Sequence, residues 1–205
     1  MFILYITNMT NMIEQRYLDN ILSALDKQIG AHNGKPIHIV VCGGSALIFL
    51  GLTTRATTDI DILGQYEAGA EIVASLPQLP DWFEAAAAKV KRDFNLPEDW
   101  INTGPASQVS SGLPEGLAKR LVHKKYGEFL SVSFISRVDQ VFFKLYASVD
   151  RGGYHVEDLM QLHPTSPELR SAGTWVLAQD VSAEFRMLLI SFLKHIGFTD
   201  VAERI

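Results

Sequence analysis

In the stretch "TTDIDIL", two carboxylates, Asp59 and Asp61, are separated by a single isoleucine. On an extended strand residues two apart share a face, so the pair would present its oxygens side by side while Ile60 and Ile62 turn into the core. Adjacent carboxylates repel unless a cation lies between them. Hard oxygen donors of this kind suit Mg²⁺ or Mn²⁺, with phosphate oxygens and water completing the shell, and a nucleoside triphosphate supplies such oxygens. Upstream, "CGGSALIFLG" places Gly43, Gly44 and Ser45 at the end of an apolar run. The glycine pair predicts a turn bare of side chains, where backbone N–H groups can approach an anion and Ser45 adds a hydroxyl donor. Together the two elements predict a phosphate cradle and a metal clamp at neighbouring strand ends.

The surrounding elements follow from periodicity. Ile13, Tyr17, Ile21, Leu22 and Leu25 recur by threes and fours, predicting a helix that stops near Gly30. "PIHIVVC" reads as a buried strand, "SALIFLG" as a short helix closed by Gly51, and "TDIDIL" as a second strand beside the first. "DWFEAAAAKVKRDF" is helical by propensity, with Asp81 as its cap. Residues 95–116, rich in Pro, Gly and Ser, read as a long functional loop or a partly ordered connection. "FLSVSFI" alternates as a third strand, and "SRVDQVFFKLYASVDRGG" has helical spacing. Further helices follow, punctuated at His163-Pro164 and Ser166-Pro167.

The fold class this order predicts is α/β (α+β): a small mixed sheet framed by helices, with a helical C-terminal part packed on it. Residues 1–12 read as a disordered lead or an alternative start, 13–136 as the sheet-bearing core, and 137–205 as the helical part that completes the site.

Composition narrows the partners. With 47% hydrophobic and 20% charged residues in 205, the chain reads as a soluble globular protein able to bury a sizeable core. The single Cys42 excludes an internal disulfide and a cysteine zinc cluster, which fits a reducing cytoplasm, and its place at the end of an apolar run reads as core packing. The N-terminal patch lacks a basic flank and a cleavage pattern, and no stretch reaches the ~20 apolar residues that span a bilayer. A formal net charge of −5 argues against sequence-independent coating of nucleic acid. Residues 119–126, "KRLVHKKY", gather four positive charges and read as a basic helix, either a solvated face or an RNA contact.

The block "CGGSALIFLGLTTRATTDIDIL" resembles the signature of the DNA polymerase β-like nucleotidyltransferase superfamily, and "KLYASVDRGGYHVEDLMQL" is similar to a motif of AbiEii-type toxin nucleotidyltransferases. The resemblance implies that Asp59 and Asp61 bind the catalytic metal and that Gly43, Gly44 and Ser45 hold the triphosphate. It also implies that Lys144 contacts phosphate and that Asp158 supports the site. Arg55 reads as a phosphate contact or a turn cap. Trp100 and Asn102 read as base contacts, with Trp100 alternatively anchored in the core. Many superfamily members carry a third carboxylate on a later strand, and "LSVSFI" offers Ser131 and Ser133 where it would be sought. That leaves a different base, a one-metal site, or lost catalysis.

The expected activity is transfer of a nucleoside monophosphate from a Mg²⁺-bound triphosphate to an RNA, notably a tRNA 3′ end, or to a protein hydroxyl. The protein would then be the toxin of a toxin–antitoxin pair with a cognate antitoxin as partner. The alternative is a nucleotide-binding protein that keeps the fold and transfers nothing. A Rossmann dinucleotide site is disfavoured, because "GGSALIFLG" lacks the G-x-G-x-x-G spacing.

Overall fold

The computed structural model describes residues 13–205, so the lead expected over 1–12 lies outside the described residues. Helix α1 (Gln15–Ala31) follows its sequence period and lays Leu18, Ile21, Leu22, Leu25 and Ile29 into the core, each at most 1% exposed. The strands are β1 (Ile37–Cys42), β2 (Ile60–Glu67), β3 (Ile72–Ala74), β4 (Ile101–Asn102), β5 (Val122–Lys125) and β6 (Leu130–Phe134). They form one mixed sheet of order β3-β2-β1-β6-β5, with β4 paired to β2 off this path. Strand β1 runs through its middle, antiparallel to β2 and parallel to β6. The fold is thus mixed α/β, with the small sheet and surrounding helices that the hydrophobic pattern predicts.

Helix α2 (Gly43–Phe49) leaves the end of β1 directly, starting at the glycine pair. Helix α3 (Asp81–Phe94) packs Phe83, Ala86 and Val90 against α1 and the sheet. Asp81 does not cap it: Pro80 holds that position, and Asp81 is the first helical residue, where its charge still suits the helix N-terminus. Residues 95–116 are ordered, carrying β4, a 3-10 turn (Gly104–Ala106) and helix α4 (Ser107–Ser111). The physical reason is Trp100, 1% exposed, whose Nε1 donates to the Ala87 carbonyl at 3.3 Å while its own carbonyl accepts from the Ile60 N–H at 2.6 Å. Here Pro and Gly mark turns around an anchor.

The basic helix expected over 119–126 is instead the end of a 3-10 turn (Leu117–Arg120) followed by edge strand β5. Pairing with β6 overrides the local spacing, and lysines on an edge strand discourage further strand addition. Its charges are partly used inside the fold. Arg120 pairs with the fully buried Asp139, and Lys124 with Asp19.

Helix α5 (Arg137–Asp150), capped by Ser136, leads into α6 (Tyr154–Gln161), α7 (Ser166–Gln179), α8 (Ala183–His195) and α9 (Thr199–Ala202). These helices share a second core around Leu145, Leu159, Val176 and Leu189, into which Leu47 of α2 also packs. No helix among the described residues is long and apolar enough to cross a membrane.

Two polar joints hold the layers. Asp26 of α1, 7% exposed, accepts the backbone N–H groups of Phe129 and Leu130 at 2.8 and 2.7 Å, tying the β5–β6 hairpin to the helix. Arg137 donates to the Leu162 and His163 carbonyls and to Glu168, which also closes the capping box of α7 with Thr165. Asp26→Ala strands two donors and is expected to cost about 2–4 kcal/mol, read as a lowered urea midpoint. The Arg137 hydrogen bond holds the Glu168 carboxyl down to about 2, against an ordinary 4.5. The unfolded chain therefore binds the proton more readily, so this contribution is complete above pH ~4.5 and fades as pH falls towards 2. Arg137→Ala should remove it, roughly 1 kcal/mol after solvent screening, and flatten the acid side of the stability profile.

Candidate functional site

In the β1–β2 pairing Cys42 stands opposite Asp61, which sets the turn into α2 against the start of β2. Gly43 has φ +71°, and a Cβ on it would come within 2.4 Å of Asp61 Oδ2. A Cβ on Gly44 would come within 2.8 Å of Thr57 Oγ1. The sequence suggests that the glycine pair makes room for phosphate; the structure shows it making room first for a carboxylate and a hydroxyl of the protein itself. Both glycines line a cleft of about 350 Å³, together with Asp59 and Asp61.

Asp59, just ahead of β2, accepts from Thr57 Oγ1 at 3.0 Å. Asp61 Oδ1 accepts from Asn102 Nδ2 at 3.2 Å. Burial, and then the neighbouring Asp59 charge, push the Asp61 carboxyl above its usual range, while the Asn102 hydrogen bond pulls it back. A cation placed between the two would remove that conflict. Ser45, by contrast, is turned away from the cleft: it is fully buried and its Oγ donates to the Cys42 carbonyl at 3.4 Å. The hydroxyl that the sequence assigns to phosphate is committed to the helix start. Cys42 lines the cleft yet packs in a core cluster, and burial, with Asp61 beside it, drives its thiol well above the ordinary range.

The facing wall comes from α5 and α6. Gln140, Lys144, Ala147 and Arg151 recur at helical spacing and all line the cleft. Lys144, 5% exposed, donates to Asp158 Oδ2 at 2.7 Å. Arg55 donates to the same carboxylate through Nη2 at 2.9 Å and Nε at 3.3 Å. One carboxylate, 1% exposed, thus holds two cations from distant segments. Burial alone would raise the Asp158 carboxyl, yet the bonds from Arg55 and Lys144 outweigh it and keep it below the ordinary value. Tyr154 covers the Arg55 guanidinium with its ring centroid 4.5 Å away, and its own ring stands half exposed beside His155. Burial and the nearby charges of Lys144 and Arg151 lower the His155 imidazole to about 4, so it is neutral near pH 7. Its Nδ1 and the Gln140 Oε1 are buried without a hydrogen-bond partner.

Position decides between the two readings of Trp100 and moves the search for a third acid to another strand. Trp100 is a core anchor and stacks on no base, because its ring is buried against α3. Ser131 and Ser133 lie on β6, which neighbours β1 and not β2. Ser133 Oγ is held 2.6 Å from both His38 Nε2 and His123 Nδ1, outside the cleft lining. The strand on the other side of Asp61 from β1 is β4, and the residue in register with it there is Asn102.

Among the described residues, no group of three or more His, Cys, Asp and Glu side chains is arranged to hold a metal. Asp59 and Asp61 are hard oxygen donors that fit Mg²⁺ or Mn²⁺ chemically, provided that substrate oxygens and water complete the shell. Sequence reasoning does not single out Thr57, Gln140, Tyr154 or His155. Stepping one turn back from Lys144 along the helix would have found Gln140, whereas Thr57 contacts Gly44 only through the tertiary fold.

Asp158→Ala leaves two cations facing a buried gap and is expected to lower stability by about 3–5 kcal/mol in urea melts. Asp158→Asn should lose less, because the amide oxygen still accepts one bond.

Residues 18–160 match the family DUF6036, described as a nucleotidyltransferase of unknown function, and that span contains every cleft residue named above. No curated protein and no solved structure matches the chain. The carboxylate pair, the glycine turn and the cationic wall all fall within a family match covering well over half of the sequence, and the chain belongs to this nucleotidyltransferase family.

Proposed function

We propose that the protein moves a nucleoside monophosphate from a nucleoside triphosphate, taken as its Mg²⁺ or Mn²⁺ complex, to a hydroxyl acceptor, either an RNA such as a tRNA 3′ end or a protein side chain. The observation that carries this reading is the cleft itself, in which the Asp59–Asp61 pair faces Arg55, Lys144 and Arg151. Carboxylates suit a metal and cations suit phosphates, and few ligands other than a metal–triphosphate satisfy both at once.

A divalent cation held by Asp59 and Asp61 would supply neutralisation of phosphate charge at the reacting centre. Lys144, fixed by Asp158, is positioned before substrate arrives and contributes a point charge to the phosphates without reorganising. Arg151, largely exposed, also lines the cleft and adds a further positive charge for the phosphates. Gly43 keeps the approach to Asp61 free of side chains, and Gly44 leaves room for the Thr57 hydroxyl. The contact between Lys144 and Asp158 also supports the AbiEii-type resemblance, and with it a toxin role beside a cognate antitoxin.

A second reading, nucleotide binding without transfer, draws on the lack of a third carboxylate among the described cleft residues. Incubation with Mg²⁺, each α-³²P-labelled nucleoside triphosphate and total tRNA or host protein separates the two. Label transfer by the wild type that drops at least ~100-fold in Asp59→Ala/Asp61→Ala is the expected outcome. Nucleotide binding with no transfer to either acceptor would favour the second reading.

A further inference from the structure

We infer that Asn102 is a positioning residue for a single divalent cation: it orients Asp61 and occupies the place from which a third carboxylate would hold a second ion. The inference rests on the nucleotidyltransferase reading for the identity of the cation site.

The strand register carries the argument. Strand β4 pairs parallel with β2, and Asn102 is the partner of Asp61. Its amide has only one consistent orientation. Oδ1 accepts from the Gly104 N–H at 2.9 Å, which leaves Nδ2 to donate to Asp61 Oδ1 at 3.2 Å. The strand that carries it is anchored on both sides, because the Trp100 carbonyl takes the Ile60 N–H and the Trp100 indole is bonded to α3. Asn102 is therefore held where it is, and holds Asp61 in turn.

The effect on the carboxylates is symmetrical. Thr57 donates to Oδ1 of Asp59 and Asn102 to Oδ1 of Asp61, so each acid has one oxygen engaged by a neutral donor. Asp61 Oδ2 is directed at the glycine turn, which itself lines the cleft. With Oδ1 of each acid engaged, the pair keeps one free oxygen apiece, which suits one cation whose shell substrate oxygens and water complete. The Asn102 oxygen is neutral and already taken by Gly104, so it cannot serve as a further anionic ligand. An amide hydrogen-bonded to a metal ligand acts on affinity through that ligand.

The test is Mn²⁺ binding, by titration calorimetry and by electron paramagnetic resonance of the free ion, with a non-hydrolysable nucleoside triphosphate analogue present. Wild type is expected to bind one Mn²⁺ per chain. Asn102→Ala is expected to bind one Mn²⁺ about 10–100-fold more weakly with its melting temperature nearly unchanged. Asn102→Asp, close in shape, is expected to bind two, a change that loss of structure cannot imitate. Two ions in wild type, unaltered affinity in Asn102→Ala, or a single ion in Asn102→Asp would each overturn the inference. The Asp59→Ala/Asp61→Ala control separates the two levels. Mn²⁺ binding that survives the control, or none in wild type, removes the function reading and this one together. Binding abolished by the control but indifferent to Asn102 removes this one alone.

Discussion

Everything in the cleft depends on the antiparallel pairing of β1 with β2, which sets Cys42 against Asp61. The register shifts between Val40 and Val41, whose partners are Gly64 and Ile62, so Leu63 is an extra residue on β2. Such a bulge changes which face each side chain takes, and a one-residue slip would send Asp61 into the main core and an isoleucine into the cleft. With the bulge in place, Ile60 and Ile62 pack towards α1 and α3 while Leu63 packs on the opposite face beside Val40 and Cys42. The carboxylate can approach the turn only because Gly43 has no side chain there.

The cationic wall is bound to this frame by one buried acid. Arg55 lies in the connection between α2 and β2, Lys144 on α5 and Asp158 on α6, so three stretches of chain meet at a single carboxylate. Burying Lys144 and Asp158 is tolerable because they pair with each other, and removing Asp158 would leave both Lys144 and Arg55 without their partner. The same arrangement fixes the Lys144 ammonium near the glycine turn without help from a ligand, the preorganisation that an electrostatic site requires.

Much of this was legible in the chain and some was not, for reasons that are physical. Asp59 and Asp61 could be read from the period of a strand, and Lys144 with Asp158 from their motif, because both signals are local. The need for glycine at 43 and 44 was legible, but its cause was not, since Asp61 Oδ2 and Thr57 Oγ1 reach those positions only through tertiary packing. Residues 119–126 looked helical because a short window cannot register that β6 waits as a pairing partner. Chain order does not say which strand lies beside β2, so β6 looks as good a place for a third acid as β4, and Asn102, two residues past a tryptophan in a Pro- and Gly-rich stretch, gives no sign of facing Asp61. That the Ser45 hydroxyl turns back to the Cys42 carbonyl is not legible either, because it depends on where α2 begins.

The central place of β1 has a consequence for how the cleft comes into being. Its contact with β2 joins residues such as Cys42 and Asp61, 19 apart in sequence, whereas its contact with β6 joins residues such as His38 and Ser133, 95 apart. Loop closure costs more entropy as the connection lengthens, and distant pairings slow folding. The anionic half of the cleft is therefore a product of short-range chain closure. Lys144 and Asp158, carried on the helices that follow β6, reach the cleft and Arg55 only through the slower long-range docking that completes the sheet.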